Sequence, residues 1–160
     1  TDEEEGDVEI LLSPTKIRFV FNNIQLTSKL IDGKFPDYKR VIPFQNDKIM
    51  TVETKVFADA VDRVSTISSD RGRAIKLSIE ENLLTLSVTS PDSGTAIEEI
   101  PVVYNNDPIE IGFNSKYLLD ITSQLISDTT KFFFSESGAP SLIRDPADEA
   151  TLYVLMPMRV

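Results

Sequence analysis

Apolar residues alternate with other positions along several short runs of the chain and recur at every third or fourth position along two longer ones. Ile17, Phe19 and Phe21 alternate with Arg18 and Val20, the period of a strand with one buried face. With the runs 8–12 and 24–30, and with the turn formers Ser13-Pro14 and Asn22-Asn23 between them, they predict an antiparallel meander. Gly33, Pro36 and Pro43 then break the periodicity between Asp32 and Asp47, so residues 1–44 are expected to form one part and 45–160 another. In the second part, 49–53 predicts a strand. Val56, Phe57, Ala60, Val61, Val64 and Ile67 fall at helical spacing within 54–68. Strands follow over 74–80, 83–89 and 95–102, separated by Glu81-Asn82 and Pro91-Asp92-Ser93-Gly94. The pattern then restarts: a strand over 109–113, Asn114 where an N-cap belongs, and a helix over 115–126 with Tyr117, Leu118, Ile121 and Leu125 on one face. Three more strands follow, over 131–136, 141–144 and 152–156.

Strand, helix, three strands therefore occur twice, an α+β architecture built from a duplicated β-α-β-β-β unit. The first 31 residues resemble the end of a third such unit, three strands with no helix before them. A three-stranded sheet with an uncovered face is a poor structure alone, so the chain is expected to be the C-terminal fragment of a longer protein.

Composition narrows the chemistry. The 160 residues are 41% hydrophobic and 26% charged, ordinary for a globular protein. There is no histidine and no cysteine, which removes Ser-His-Asp and Cys-His catalysis, zinc fingers and iron–sulfur ligation. The sequence holds no Gly-rich phosphate loop, nucleophile elbow or calcium loop. The pairs Asp145/Asp148 and Glu98/Glu99 could serve a glycosidase only at a separation the sequence does not set. A net charge of −10 argues against nucleic-acid binding by bulk attraction, so any contact with DNA must be local. No run of apolar residues is long enough for a membrane helix, and the start of the sequence (Glu3, Glu4, Glu5, Asp7) is acidic and reads as a solvated loop. A cytoplasmic protein is expected. Residues alone give a binding module, with an adhesion-like repeat as the alternative.

The stretch 28–43, SKLIDGKFPDYKRVIP, closely resembles the bacterial sliding clamp, the β subunit of replicative DNA polymerase III. IGFNSKYLLD at 111–120 and YVLMPMRV at 153–160 agree with the same family, in the same order. The resemblance implies the DNA clamp (processivity) fold: a homodimer ring of three-domain subunits, helices lining the hole and antiparallel sheets outside. This chain corresponds to the second half of the middle domain plus the whole third domain. The implied function is that of a DNA polymerase processivity factor, non-catalytic and needing no cofactor or metal. Its partners are duplex DNA, the polymerase III catalytic subunit, the clamp loader and other replication and repair proteins.

Three sets of residues follow. Segment 54–76 carries Lys55, Arg63, Arg71, Arg73 and Lys76 against Asp59, Asp62 and Asp70, a locally basic stretch in an acidic chain. Scattered solvated cations are the ordinary alternative; the resemblance favours Arg63, Arg73 and Lys116 as DNA-facing. The second set is apolar and adaptable: Tyr38, Arg40, Val41, Val154, Leu155, Met156, Pro157, Met158 and Arg159. In the family, matching positions form a hydrophobic cleft for a short partner motif, with Pro36, Asn114, Tyr117 and Pro140 at its rim. Val154 to Met156 could also simply end a core strand, and one wall of the cleft belongs to the absent part of the middle domain. The third set, Ser65, Thr66, Ile67, Glu98 and Glu99, corresponds to the family's subunit interface, although acids on an edge strand also serve to block aggregation.

Overall fold

The computed structural model describes residues 6–35, 37–68 and 73–160. The chain divides into two compact units, Thr1–Asp37 and Tyr38–Val160, so residues 38–44 group with the second unit rather than the first. In the first unit, β1 (Glu9–Leu12), β2 (Lys16–Phe21) and β3 (Ile24–Lys29) form the expected antiparallel meander in the order β1-β2-β3. Asn22 turns the β2–β3 hairpin at φ 50°, a conformation asparagine tolerates better than most residues. Ile10, Leu12, Ile24 and Leu26 remain exposed. The Glu3–Glu5 part of the acidic lead lies outside the described residues.

The second unit opens with a 3-10 turn at Tyr38–Arg40, absent from the sequence expectation, where Val41 N–H donates to the Tyr38 carbonyl at 3.0 Å. β4 (Lys48–Glu53) leads into α1 (Thr54–Ser65), followed by β5 (Ala74–Glu80), β6 (Leu83–Ser90) and β7 (Gly94–Pro101). A two-residue strand β8 (Val103–Tyr104) comes next, too short to show any periodicity. The second copy is β9 (Ile109–Asn114), α2 (Ser115–Thr122), β10 (Thr129–Phe134), β11 (Ser141–Asp145) and β12 (Asp148–Leu155).

The two copies exchange their first strands. One sheet runs β12-β11-β10-β4-β8 and the other β7-β6-β5-β9, so β4 completes the sheet of the second copy and β9 that of the first. Each helix start is tied across in the same way. Thr54 N–H donates to the Asp128 carbonyl just before β10 (2.8 Å), and Ser115 N–H donates to the Arg73 carbonyl just before β5 (2.8 Å). The Thr54 hydroxyl adds bonds to Thr130 Oγ1 (2.7 Å) and the Ser127 carbonyl (2.9 Å), which matters because Glu53 at the N-cap gives no side-chain bond.

α1 buries Phe57, Ala60, Val61 and Val64, packing on both sheets and on α2. The rings of Phe57 and Phe132 meet edge-on with centroids 5.1 Å apart, and Phe134 lies 5.9 Å beyond. Both helices are shorter than their apolar periodicity. α1 stops at Ser65, where the Ser65 and Thr66 hydroxyls both turn back to the Asp62 carbonyl. α2 stops at Thr122, where Thr122 and Ser123 donate to the Leu119 and Asp120 carbonyls. Such side-chain bonds compete with continued helix. The predicted face of α2 also differs: Ser115, Leu118 and Thr122 are buried while Tyr117 is 54% exposed.

Candidate functional site: an apolar pocket, a helix surface and an edge strand

Tyr117, Asp120 and Ile121 of α2 face Tyr153, Val154, Leu155 and Met156 of β12 and its exit across an open apolar pocket of about 420 Å3. Residues 117, 120 and 121 share a helix face by their spacing. Leu155 is buried and closes the base, while Met156 stands 58% exposed at the rim. Four of the expected cleft residues, Tyr117, Val154, Leu155 and Met156, therefore meet here. Asp120, Ile121 and Tyr153 complete the lining without having been singled out. Ile121 was legible as a neighbour of Tyr117 on the same face, and Tyr153 as the residue beside Val154.

Other members of that set stand elsewhere. Pro157, Met158 and Arg159 line a second depression of about 700 Å3, with Lys76, Glu110 and Gly112. Asn114 caps α2, its Oδ1 accepting from Lys116 N–H at 3.0 Å, as its position in the sequence predicts. The Pro140 carbonyl accepts from Asn46 Nδ2 at 2.9 Å, and the same amide reaches the Phe133 carbonyl at 2.9 Å. Tyr38, Arg40 and Val41 are exposed on and after the 3-10 turn. Pro36 lies outside the described residues.

The two helices present a common surface. Lys55 and Ala58 of α1 and Leu119, Thr122 and Ser123 of α2 line one shallow groove. The lysines of the two helices are answered locally: Lys55 Nζ lies 2.7 Å from Asp59 and Lys116 Nζ 3.9 Å from Asp120, and the Lys55 hydrogen bond holds the Asp59 carboxyl below its ordinary range. Lys76 is likewise 2.8 Å from Glu110. Arg73 is exposed at φ 44°, and among the described residues it has no acidic partner. Asp70 and Arg71 lie outside the described residues.

Arg63 is spoken for differently. Its Nη2 donates to Glu98 Oε1 at 2.6 Å and its Nε to Oε2 at 3.1 Å, a fork-to-carboxylate pair. This bond lowers the Glu98 pKa and raises that of Arg63. Glu98 and Glu99 sit on β7, which is an outer strand of its sheet. The pair therefore ties α1 to the sheet edge and joins two sets that the sequence kept apart. Ser65 and Thr66 end α1, and Ile67 packs against the core.

Among the described residues no group of three or more acidic side chains is placed to hold a metal ion. No helix among them is long and apolar enough to cross a membrane.

Two strand-exchanged copies of a β-α-β-β-β unit, their helices side by side, define the α+β architecture of DNA clamps. Residues 39–159 match the family described as DNA polymerase III beta subunit, C-terminal domain, and residues 1–37 match its central domain. The chain belongs to this family, the bacterial sliding clamps. It is 48% identical over 153 residues to the beta sliding clamp of Caulobacter vibrioides, covering 96% of this chain and 41% of that protein. The crystal structure of the Bartonella birtlesii clamp bound to griselimycin shares 56% identity at a TM-score of 0.88, covering 99% of this chain and 42% of the other. The Pseudomonas aeruginosa clamp, also bound to griselimycin, shares 36% identity at a TM-score of 0.83, covering 99% of this chain and 43% of the other. The chain thus spans about two fifths of the length of these relatives.

Proposed function

We propose that this chain is part of a processivity factor of the cytoplasm: a sliding clamp that encircles duplex DNA as a homodimer ring and does no chemistry itself. The surface formed by Lys116 of α2 and by Arg73, just before β5 at the start of that helix, faces the phosphates, and Arg63 orients the sheet edge. Cations answered by nearby acids suit this role, because a ring that gripped phosphate tightly would not slide. The β7 edge with Glu98 and Glu99, together with Ser65 to Ile67, meets the neighbouring subunit. The apolar pocket receives segments of the polymerase III catalytic subunit, the clamp loader and other replication and repair proteins. Holding a polymerase beside its primer makes rebinding intramolecular, which raises processivity without a faster chemical step.

The observation that supports this reading best is the pocket itself, built from α2 and β12 and walled by Tyr117, Ile121, Leu155 and Met156. Small apolar-lined concavities with a flexible Met at the rim suit short peptide anchors of varied shape. The relatives bound to griselimycin supply a probe. Labelled griselimycin is expected to bind this chain, and Met156→Ala is expected to weaken binding about tenfold by fluorescence anisotropy, the scale of one truncated anchor contact. Equal affinity of the two proteins would reject the pocket as the binding site.

A further inference from the structure

β9 is an outer strand of its sheet, and a short stretch of chain lies along its open side. Met158 pairs with Gly112 as a lone antiparallel bridge, its N–H donating to the Gly112 carbonyl at 2.8 Å. The absence of a side chain at 112 permits this approach. A Cβ there would overlap both methyl carbons of Val160 and lie 2.7 Å from the Met158 carbonyl oxygen. The nearest atoms it would meet belong to residues 158 and 160, none to the sheet. Gly112 is also not among the glycines with positive φ, so its backbone is one that any residue adopts. Glycine at this position serves the segment lying over it, not the strand that contains it.

That segment leads back to the apolar pocket. Leu155 is buried at the end of β12, and Met158 is held by the bridge. Only Met156 and Pro157 span the two fixed points, and proline narrows the backbone further. Met156 is therefore held at both ends of a very short span.

We infer that Gly112 is a positioning residue for the pocket: by seating Met158 and Val160 it holds Met156 at the rim, so an apolar ligand meets a wall already ordered. The ligand half of this inference rests on the proposed peptide-binding role. A backbone already confined loses less freedom when a ligand arrives, so the pocket binds more tightly while the Met156 side chain keeps its adaptability.

The chain contains three methionines, which makes the test direct. Met50 is fully buried in β4 and serves as an internal standard, while Met156 and Met158 report on the seat. In the whole chain with carbon-13 methyl-labelled methionine, Gly112→Ala is expected to move the Met156 and Met158 signals and leave Met50 in place. The Met158 amide is expected to exchange about tenfold faster, and griselimycin to bind roughly three- to tenfold more weakly. Adding Val160→Gly removes the methyl groups that the new Cβ meets, and is expected to restore part of each effect. Unmoved Met156 and Met158 signals would overturn the inference, as would an equal shift at Met50, which marks a general loss of packing. Signals that move without a change in griselimycin affinity would also overturn it. If the unmodified chain fails to bind griselimycin, the pocket assignment and the ligand half fall together, and the methyl signals alone decide the seat.

Discussion

Four donors converge on the carboxylate of Asp145: the Ser127 hydroxyl and the backbone N–H groups of Ile126 (2.7 Å), Ser127 (3.2 Å) and Ala147 (2.8 Å). The side chain is buried, and these bonds, the Ser127 hydroxyl foremost, bring its pKa down to about 2. They tie the segment after α2 to the turn between β11 and β12. A carboxylate with a lowered folded pKa adds stability that is complete above its unfolded value near ~4 and is lost as pH falls through the folded value. Asp145→Asn is therefore expected to lower the urea midpoint at pH 6, and the gap to the unmodified chain is expected to close between about pH 4 and pH 2. A gap constant over that range would show that charge plays no part. The sequence offered Asp145 only as one of a possible carboxylate pair with Asp148, because its partners Ser127 and Ile126 lie 18 and 19 positions away. Arg63 and Glu98, 35 positions apart, escaped joint notice for the same reason. Asn114 was legible because its bond reaches only two residues along the chain.

Elements were legible where a local rule sufficed. β2 and β5 fall where alternation places them, and turn residues separate them from their neighbours. Helix ends were less legible, since the serine and threonine bonds that stop α1 and α2 leave the apolar period running on past them. Strand exchange was invisible, because periodicity shows which face is buried and not which sheet a strand joins. Its core consequence is testable at Phe132. β10 pairs Phe132 with Met50 of β4 and with Ile143 of β11, and its fully buried ring meets Phe57 of α1. Phe132→Ala is expected to cost about 3–5 kcal/mol in urea unfolding, the usual range for a buried phenylalanine. A loss under about 1 kcal/mol would mean that the α1–sheet contact contributes little.

For the whole molecule, the net charge of −10 and the helix surface make separate demands on DNA. Lys55, Lys76 and Lys116 each stand beside an acid, so attraction is weaker than the number of cations suggests. Arg73, unlike these three lysines, has no acidic partner among the described residues and is the better probe. In a full-length clamp, Arg73→Glu is expected to weaken DNA association and to reduce the slope of log affinity against log salt by about one. An unchanged slope would place Arg73 away from phosphate. The family and the domain type were readable from three short blocks of sequence, whereas the pocket lining needed α2 and β12 side by side, more than 30 residues apart in sequence. The exchanged first strands also govern the order in which the polypeptide can mature. While a ribosome is still making residues 129–155, β4 has only the two-residue β8 as a strand partner, and the strands β10 to β12 that complete its sheet are absent. Pairings between distant segments wait for both to emerge, so the second unit closes late in translation, and a nascent chain stalled before β10 is a target for chaperones and proteases.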